Sequence, residues 1–594
     1  MRCDNPLNNV LTIDLSRRSS LLERREDLFE AGLGGAGVGI RLLTENVPAG
    51  ADPLGPENAV VFAVGPLTAL YPLASKTVAM FKSPHTGNLG ESHAGGRSAI
   101  AIRLAGLGAI VLKGTSATPV YLVIEGHTVH FRDASALWGM ESASTPGRVI
   151  REREGGAGVR TILRIGRAGE RLVSYATVTT ETYRHFGRLG LGAVFGAKKV
   201  KGLLVAGTDR VPAPERKVYR SLYDRLYREA TQSPLMRKYH DLGTAGNVLP
   251  LNALGALPVR NLQAGSLEGA ERISGEGLAA NFLGRRLACA HCPVACIHIA
   301  ALRTPYQDEP YFYKTQMISY DHEPIYSLAS LLGIVDPSSF LRLLNRVEGM
   351  GMDCMSAGVI LAWATEAMEK GLITEKETGG LHLAWGDGDA YQEAVWRIVE
   401  DGGDFYRTLA QGLARTVTRY GGEEFALVFA GNEMAGYHTG PFTHLGFLLG
   451  ARHSHLDNAG YALDQKTKPG ELPAPSEAIH TLLQEERWRQ VLSSLAVCFF
   501  ARGLYTPEVV AEALDSVGFP LSVAQLESLG EKTHALKYAF KLREGFRFEN
   551  LRFPERILQT PTFLGTLSLP YLEQAVAAAK AEIEGAVAGL TLCP

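Results

Sequence analysis

Cysteine is scarce in this 594-residue chain: there are seven, an odd number, and three of them fall within eight positions. That usage excludes a disulfide framework as the organising principle. An excess of charge of one sign is also missing, with 60 Lys and Arg against 62 Asp and Glu for a formal charge of -2. Neither nucleic acid nor an anionic membrane is therefore expected as a partner. No run reaches the roughly 18 uncharged apolar residues of a membrane helix; the most apolar stretch, "LSSLAVCFFA", is too short. The first residues, "MRCDNPLNNVLTIDLSRRSSLLERRED", become charged before a signal peptide could form. Internal repeats and low-complexity segments are absent as well. A cytoplasmic protein is expected, and in a reducing compartment clustered thiols point to metal.

What is present reads as an enzyme of ordinary composition, 46% hydrophobic and 21% charged. Its length allows about four domains, or fewer large ones, and ample room for a buried cofactor. Up to about residue 205 the chain is glycine-rich, with short β-branched runs: "NAVVFAVGPLT", "AIAIRLAGLGAIVLKG", "PVYLVIEGHTVHF", "TILRIG", "LVSYATVTT" and "VKGLLVAG". These read as strands joined by tight turns. The cluster "TDRVPAPERK" marks a boundary. Beyond it, "VYRSLYDRLYREATQS", "PSSFLRLLNRVEGMGM", "SAGVILAWATEAMEKG", "DAYQEAVWRIVEDGGDFYRTLAQGLARTVTRYG" and "PYLEQAVAAAKAEIEGAV" carry apolar residues at helical spacing.

Cys289, Cys292 and Cys296 form a C-x2-C-x3-C set in "RRLACAHCPVACIHIA". Structural zinc favours two C-x2-C pairs separated by a longer gap, whereas iron–sulfur cubanes commonly take three thiolates from one tight loop and a fourth from afar. A [4Fe–4S] cluster, zinc, or no metal all remain open on spacing alone. Of the outlying cysteines, Cys498 in apolar "SSLAVCFFARG" suits a cluster better than Cys354, while Cys3 and Cys593 lie near the chain ends. Free cysteine is also among the most buried residue types, so Cys498 has a plain packing alternative.

Three loops add chemistry-bearing residues. "FKSPHTGNLGESHAGGRS" sets Gly87, Gly90, Gly95 and Gly96 among Lys82, Ser83, His93 and Arg97, a composition able to present amides to phosphate. "YRHFGRLGLGAVFGAKK" places Gly187, Gly190 and Gly192 before Lys198 and Lys199. Turns and close packing need glycine too, so neither loop is specific by itself. "GYHTGPFTHLG" and "GARHSHLDNAGYALDQ" bring His438, His444, His453 and His455 into eighteen positions beside Arg452 and Asp457. That set fits a metal or a proton-transfer site, against loop histidines that merely hydrogen-bond. "SYDHEPIYSLASLLGI" adds Asp321, His322 and Glu323 at a helix start, where acids are ordinary.

Together these signals, with "IGRAGERLVSYA", "RHFGRLGLGAVFGAKKVKGLLV", "LGTAGNVLPLN", "LPVRNL", "LASLLGI" and "MGMDCMSAGVILAWATEAMEKGLI", resemble the aldehyde ferredoxin oxidoreductase family of tungsten enzymes in order and spacing, from about residue 30 to 550. The resemblance implies a multidomain α+β fold. A β-rich pterin-binding base (residues 1–210) would be followed by two mainly helical domains, 211–420 with the cysteine loop and 421–594 with the histidines and the fourth cysteine. They would enclose tungsten, or molybdenum, on two pterins. It implies a [4Fe–4S] cluster held by Cys289, Cys292, Cys296 and Cys498, passing electrons to ferredoxin.

Position by position, Lys76 falls where the family often has an arginine near pterin and cluster, and Arg184 resembles the arginine at the pterin phosphates. His93 and His185 fall where backbone carbonyls hold a bridging magnesium. Glu323 aligns with the glutamate near the metal, and His455, or else His453, with the histidine that handles the substrate proton. Of the two D-x-x-G-L-[DC] pterin segments, "EGMGMD" (Glu348 to Asp353) is kept, whereas "SSLAVC" (Ser493 to Cys498) lacks both acid and glycine. The E-x-x-H of a metal-bridged dimer is replaced by Arg342 and Asn345, so any homodimer needs another contact. The implied reaction is oxidation of an aldehyde to a carboxylic acid. The alternatives are a catalytic subunit of a larger tungsten or molybdenum enzyme with accessory subunits and another substrate, or a cluster-bearing electron-transfer protein without pterin.

Overall fold

The computed structural model describes residues 5–181, 183–211, 216–306 and 309–590. Cys3, Cys593 and part of the boundary peptide "TDRVPAPERK" lie outside them. The amino-terminal part folds into two six-stranded sheets. In the first, β1 (Asn9–Asp14), β2 (Ser19–Arg24), β3 (Val60–Ala63), β4 (Thr77–Lys82), β5 (Leu89–Ala94) and β6 (Ala109–Lys113) stand in the order β2-β1-β6-β3-β4-β5. In the second, β7 (Val120–Glu125), β8 (Thr128–Asp133), β9 (Val159–Ile165), β10 (Val178–Thr179), β11 (His185–Phe186) and β12 (Val200–Gly207) run β11-β10-β9-β12-β7-β8. Only β1 with β6 and β7 with β12 are parallel. The edge strands β5 and β11 pack beside one another.

Most apolar runs named above form strands because both sheet faces are covered; β3, β4 and β12 are buried at every position. Two depart from expectation. "AIAIRLAGLGAIVLKG" begins as the helix Ser98–Leu104 before β6, since seven residues without a turn former suffice for two helical turns. "LVSYATVTT" yields only β10, its earlier residues forming turns that bury Val173, Tyr175 and Ala176 in an apolar core.

Past residue 216 the protein is mainly helical, as the periodicity predicts, with the helices Arg216–Gln232, Pro337–Met350, Cys354–Glu369, Pro475–Ser494, Val523–Arg543 and Leu569–Ala588. "DAYQEAVWRIVEDGGDFYRTLAQGLARTVTRYG" breaks into three helices, because Gly403 (φ 110°) and Gly412 (φ 94°) stop the turns between them. The expectation of helix missed a three-stranded antiparallel sheet, β13 (Leu283–Leu287), β14 (Ile297–Tyr306) and β15 (Glu309–Tyr320), whose first connection is the cysteine loop.

Two large apolar cores result. One gathers the helices between Ala245 and Ile583. The other joins the first sheet to residues between Val491 and Phe540, so the segment carrying Cys498 is built against the amino-terminal sheets. Among the described residues no single helix is long and apolar enough to cross a membrane.

Candidate active site

Where the two cores meet, a cavity of about 350 Å³ is lined from both sheets, the cysteine loop and the helical part. Cys289, Cys292, Cys296 and Cys498 all face it, with Lys76 and Arg184. Backbone bonds bring the distant segments together. The Leu73 amide donates to the His291 carbonyl (3.0 Å) while the Leu73 carbonyl accepts from the Cys498 amide (2.9 Å). Lys76 N donates to Ala496 O (3.0 Å) and Ala290 N to Gly96 O (2.9 Å). One turn at residues 73–76 thus holds the three-cysteine loop and the fourth cysteine at once. Left-handed backbone at His291, Ala295 and Ala496 completes the placement, a conformation costing about 1 kcal/mol or more per non-glycine residue.

Glycine is required beside this cluster. A Cβ on Gly95 would stand 2.5 Å from Cys289 Sγ and 3.4 Å from Lys76 Nζ. Among the described residues, no three His, Cys, Asp or Glu groups converge on a single-ion position.

The electrostatics separate the cysteines. Arg184 Nη2 approaches Cys296 Sγ at 3.8 Å, and its Nη1 lies 3.4 Å from Asp321. Burial opposes the Lys76 ammonium, yet Cys498 and Cys289 hold its pKa above the ordinary lysine value. Burial pushes the Cys292 and Cys296 thiols up, to about 12 and about 11, with Arg184 pulling Cys296 back. Cys354 lies elsewhere on the same cavity wall. Burial and its neighbours Glu348 and Asp353 raise it well above the usual thiol range, outweighing the backbone hydrogen bond that would favour a thiolate.

The acidic side is assembled from helix starts. Asp353 caps Cys354–Glu369, accepting from Met355 N (3.1 Å) and Ser356 N (3.3 Å), and it pairs with Arg188 Nε at 3.1 Å. Burial, then Asp321, pushes Glu348 up to about 8. Glu323 stands in the first turn of the helix His322–Leu328; its Oε2 accepts the Gly436 amide at 3.1 Å. Its Oε1 lies 3.3 Å from His455 Nε2 without hydrogen-bonding alignment. Burial lifts Glu323 to about 8 and drives His455 well below the usual imidazole value, so near pH 7 the pair is carboxylic acid and neutral ring. His455 opens a short helix fixed by a capping box between Ser454 and Asp457, and Asp457 is ion-paired to Arg452 at 2.5 Å. Tyr437 leans on His455 with ring centroids 5.3 Å apart and stacks on Tyr461 at 4.4 Å.

Several sequence candidates are not brought here. His453 does not line the cavity: it sits behind the wall, accepting from Lys541 Nζ (2.9 Å) and facing the Phe447 and Leu448 carbonyls. Of the two, His455 is the one that faces the cavity and Glu323. His438 and His444 bond one another at 2.9 Å in the core. Lys82 pairs with Glu544, while Lys198 and Lys199 bond backbone carbonyls, tying elements together. Ser493 is absent from the lining; its carbonyl fits against Gly35, whose Cβ would lie 2.0 Å away, and Ser494 Oγ accepts the Gly37 amide. His93 and His185 do line it, on the adjoining edge strands β5 and β11. Burial lowers them to about 4 and about 3, which keeps both rings neutral.

Sequence reasoning missed Arg188, Arg489, Arg502, Tyr437 and Tyr461 as lining residues. Arg188, Tyr437, Tyr461 and Arg502 lie inside segments quoted above, whereas Arg489, on the helix Pro475–Ser494, carried no signal. Buried atoms of Arg184 (Nε), Arg188 (Nη1), Arg489 (Nη2), Glu323 (Oε1) and His455 (Nδ1) have no hydrogen-bond partner among the described residues, so the wall is left with donors and acceptors for a ligand.

Behind it, Glu433 accepts from Leu413 N (3.0 Å) and Ser356 Oγ (2.7 Å) and meets His85 Nε2 at 2.7 Å. Burial alone would raise this carboxyl; these partners hold it down to about 2. The depressed pKa contributes about 3 kcal/mol above the ordinary glutamate value near 4.5, lost as pH falls from there toward 2. Glu433→Gln should lower the urea midpoint at pH 7 and lose most of that deficit by pH 3. An equal deficit at both pH values would remove the ionic account.

The matches to known proteins follow this organisation. Residues 10–207 match the family model for the aldehyde ferredoxin oxidoreductase N-terminal domain, and residues 221–578 the model for its domains 2 and 3. The chain is 31% identical over 559 residues to the tungsten-containing aldehyde ferredoxin oxidoreductase of Thermococcus kodakarensis, covering 91% of this chain and 89% of that one. It is 30% identical over 436 residues to the WOR-like subunit of an aliphatic sulfonate oxidoreductase from Pyrococcus furiosus, covering 69% and 66%. In fold it is similar to the BamBC active-site complex of benzoyl coenzyme A reductase, with a TM-score of 0.81, 19% identity and coverage of 97% and 94%. With both family models matched in order and the sheets, cysteine loop and cavity laid out to suit, this chain belongs to the aldehyde ferredoxin oxidoreductase family and is an oxidoreductase of that kind.

Proposed function

We propose that this protein oxidises aldehydes to carboxylic acids in the cytoplasm, using a tungsten, or molybdenum, bis-pterin centre and a [4Fe–4S] cluster, with an iron–sulfur carrier as acceptor. The observation that carries the reading is the Glu323–His455 pair, 3.3 Å apart with an unpartnered atom on each, facing the cavity that Cys289, Cys292, Cys296 and Cys498 also line. The residues present fit these groups. Four thiols beside Lys76 and Arg184 suit a cubane, whose four thiolates leave two net negative charges to balance. Five arginines, Arg184, Arg188, Arg452, Arg489 and Arg502, face the same space as the acids Glu348 and Asp353, a donor set for pterin rings and their phosphates. The His93 and His185 backbone carbonyls, on the adjoining edge strands of the two sheets, would hold a magnesium ion accompanying the cofactor.

When bound, the metal–pterin group would supply a Lewis acid and two-electron acceptor, and the cubane a one-electron exit. The protein's part is to move protons and hold the substrate. Glu323, once ionised, takes a proton from the water that attacks the aldehyde carbon. His455, neutral, hydrogen-bonds the carbonyl oxygen and orients it. Tyr437 and Tyr461 exclude bulk water from the pair. For each aldehyde and water consumed, one carboxylic acid, two protons and two electrons leave.

Elemental analysis of anaerobically purified protein should find about four iron and one tungsten or molybdenum per chain, with aldehyde-dependent reduction of viologen dye. Iron alone would indicate the electron-transfer alternative; zinc alone would defeat the reading. The names of the sulfonate and benzoyl coenzyme A relatives favour a second reading, a catalytic subunit with another substrate. That reading predicts the full metal content but turnover only with accessory subunits.

A further inference from the structure

The cysteine loop is one end of a sheet whose other end stands free. Residues Ile297 to Ala300 of β14 are buried on both faces, but burial falls away along the strand, and the tip of the β14–β15 hairpin exposes Tyr311 (90%), Phe312 (63%), Tyr306 (54%) and Tyr313 (49%). Scattered exposed apolar residues are ordinary; four aromatics on one projecting hairpin, continued by Met317 on the Tyr311 and Tyr313 face, form a patch. The sequence places two acids, Asp308 and Glu309, between Tyr306 and Tyr311, and the charged side chains described along the rest of the sheet are basic. Among the described side chains of β13, β14 and β15, Arg285, Arg286, Arg303 and Lys314 are exposed and none is acidic, and the Arg303 guanidinium lies 4.4 Å over the Tyr313 ring. Exposed aromatics with arginine are the side chains from which interface hot spots are most often built.

We propose that this hairpin, with the edge strand β13, docks an acidic iron–sulfur electron-carrier protein; the proposal rests on the function given above. β13 ends two residues before Cys289, and Ala288 and His291 of the cysteine loop are exposed. Ten residues of β14 span about 30 Å, the diameter of a small domain. A carrier of that size lying along the sheet touches the aromatic tip and reaches the arginines beside the thiols together. The positive surface then steers and registers the carrier, while the rings hold it.

The test is titration calorimetry of the holoenzyme with an acidic two-cubane ferredoxin, with viologen-linked aldehyde turnover run in parallel. Wild type should bind, more weakly as salt rises. Tyr311→Ser with Phe312→Ser, and separately Arg285→Glu with Arg286→Glu, should each weaken binding about tenfold or more while viologen turnover stays within about twofold. Absent ferredoxin binding by wild type, unchanged binding by both variants, or dissociation of a homodimer by either would overturn the proposal. Loss of viologen turnover in wild type, with binding intact, would fault the reaction and leave the docking surface standing.

Discussion

Cys498→Ser is expected to abolish the paramagnetic signal of the proposed reduced cluster and to end dye-linked turnover, whereas Cys354→Ser should keep the signal at wild-type intensity. Both cysteines line the cavity, so the contrast rests on surroundings. Cys498 lies by Lys76 in the group of four thiols, its amide pinned to Leu73 O at 2.9 Å, on the turn that also anchors the three-cysteine loop. Cys354 begins a helix among Glu348, Asp353 and Asp321, three carboxyls that disfavour a thiolate. The cysteine must ionise to bind iron, and the burial and carboxylates around Cys354 oppose that. Iron content, the low-temperature resonance spectrum and turnover are to be measured together. A cluster lost in Cys354→Ser and kept in Cys498→Ser would reverse the assignment.

Glu323→Gln is expected to lower kcat by about 100- to 10,000-fold, the usual contribution of a positioned general base, with cluster and metal content unchanged. The amide keeps the shape and the acceptor for the Gly436 amide but cannot take a proton. The wild-type pH profile carries the second half of the prediction. Burial raises this carboxyl to about 8, and only the ionised form accepts a proton, so the rate should climb with pH along a limb above the ordinary glutamate range and at or below about 8. A bound metal cation lowers that limb. The residual activity of the variant should lose the limb. A flat wild-type profile between about pH 5 and pH 9, or a variant that keeps the limb, would assign the proton to another group. His455→Ala should cost less in kcat than Glu323→Gln, because the neutral ring orients the carbonyl and is not required to ionise.

The folding pattern was largely legible because period two and helical spacing are local properties. β3, β7, β9 and β12 and the long helices fall on the segments that carry those patterns. The reading failed at β13–β15, where strands that leave both faces open near the hairpin tip have no alternation to detect. Glycine-rich loops were found, but spacing alone could not say what their lysines do. Lys82, Lys198 and Lys199 tie elements together, while Gly95, which must lack a side chain beside Cys289, is the residue that matters to the cysteines.

By itself the sequence determined that three thiols stand in one tight loop, that Glu323 opens a helix, and that an ordered set of segments resembles one family. Only the tertiary structure decided which histidine of four faces Glu323, since His453 and His455 differ by the left-handed turn at His453 and by Lys541, which holds the first ring in the wall. It also decided which remote cysteine shares the loop's cavity on the cationic side, and that Arg489, on a long helix, faces the cavity rather than solvent. The reason is the range of the interactions. A thiol, a base and an arginine acquire their chemistry from burial and from charges contributed by segments hundreds of residues away, and local spacing carries no record of either.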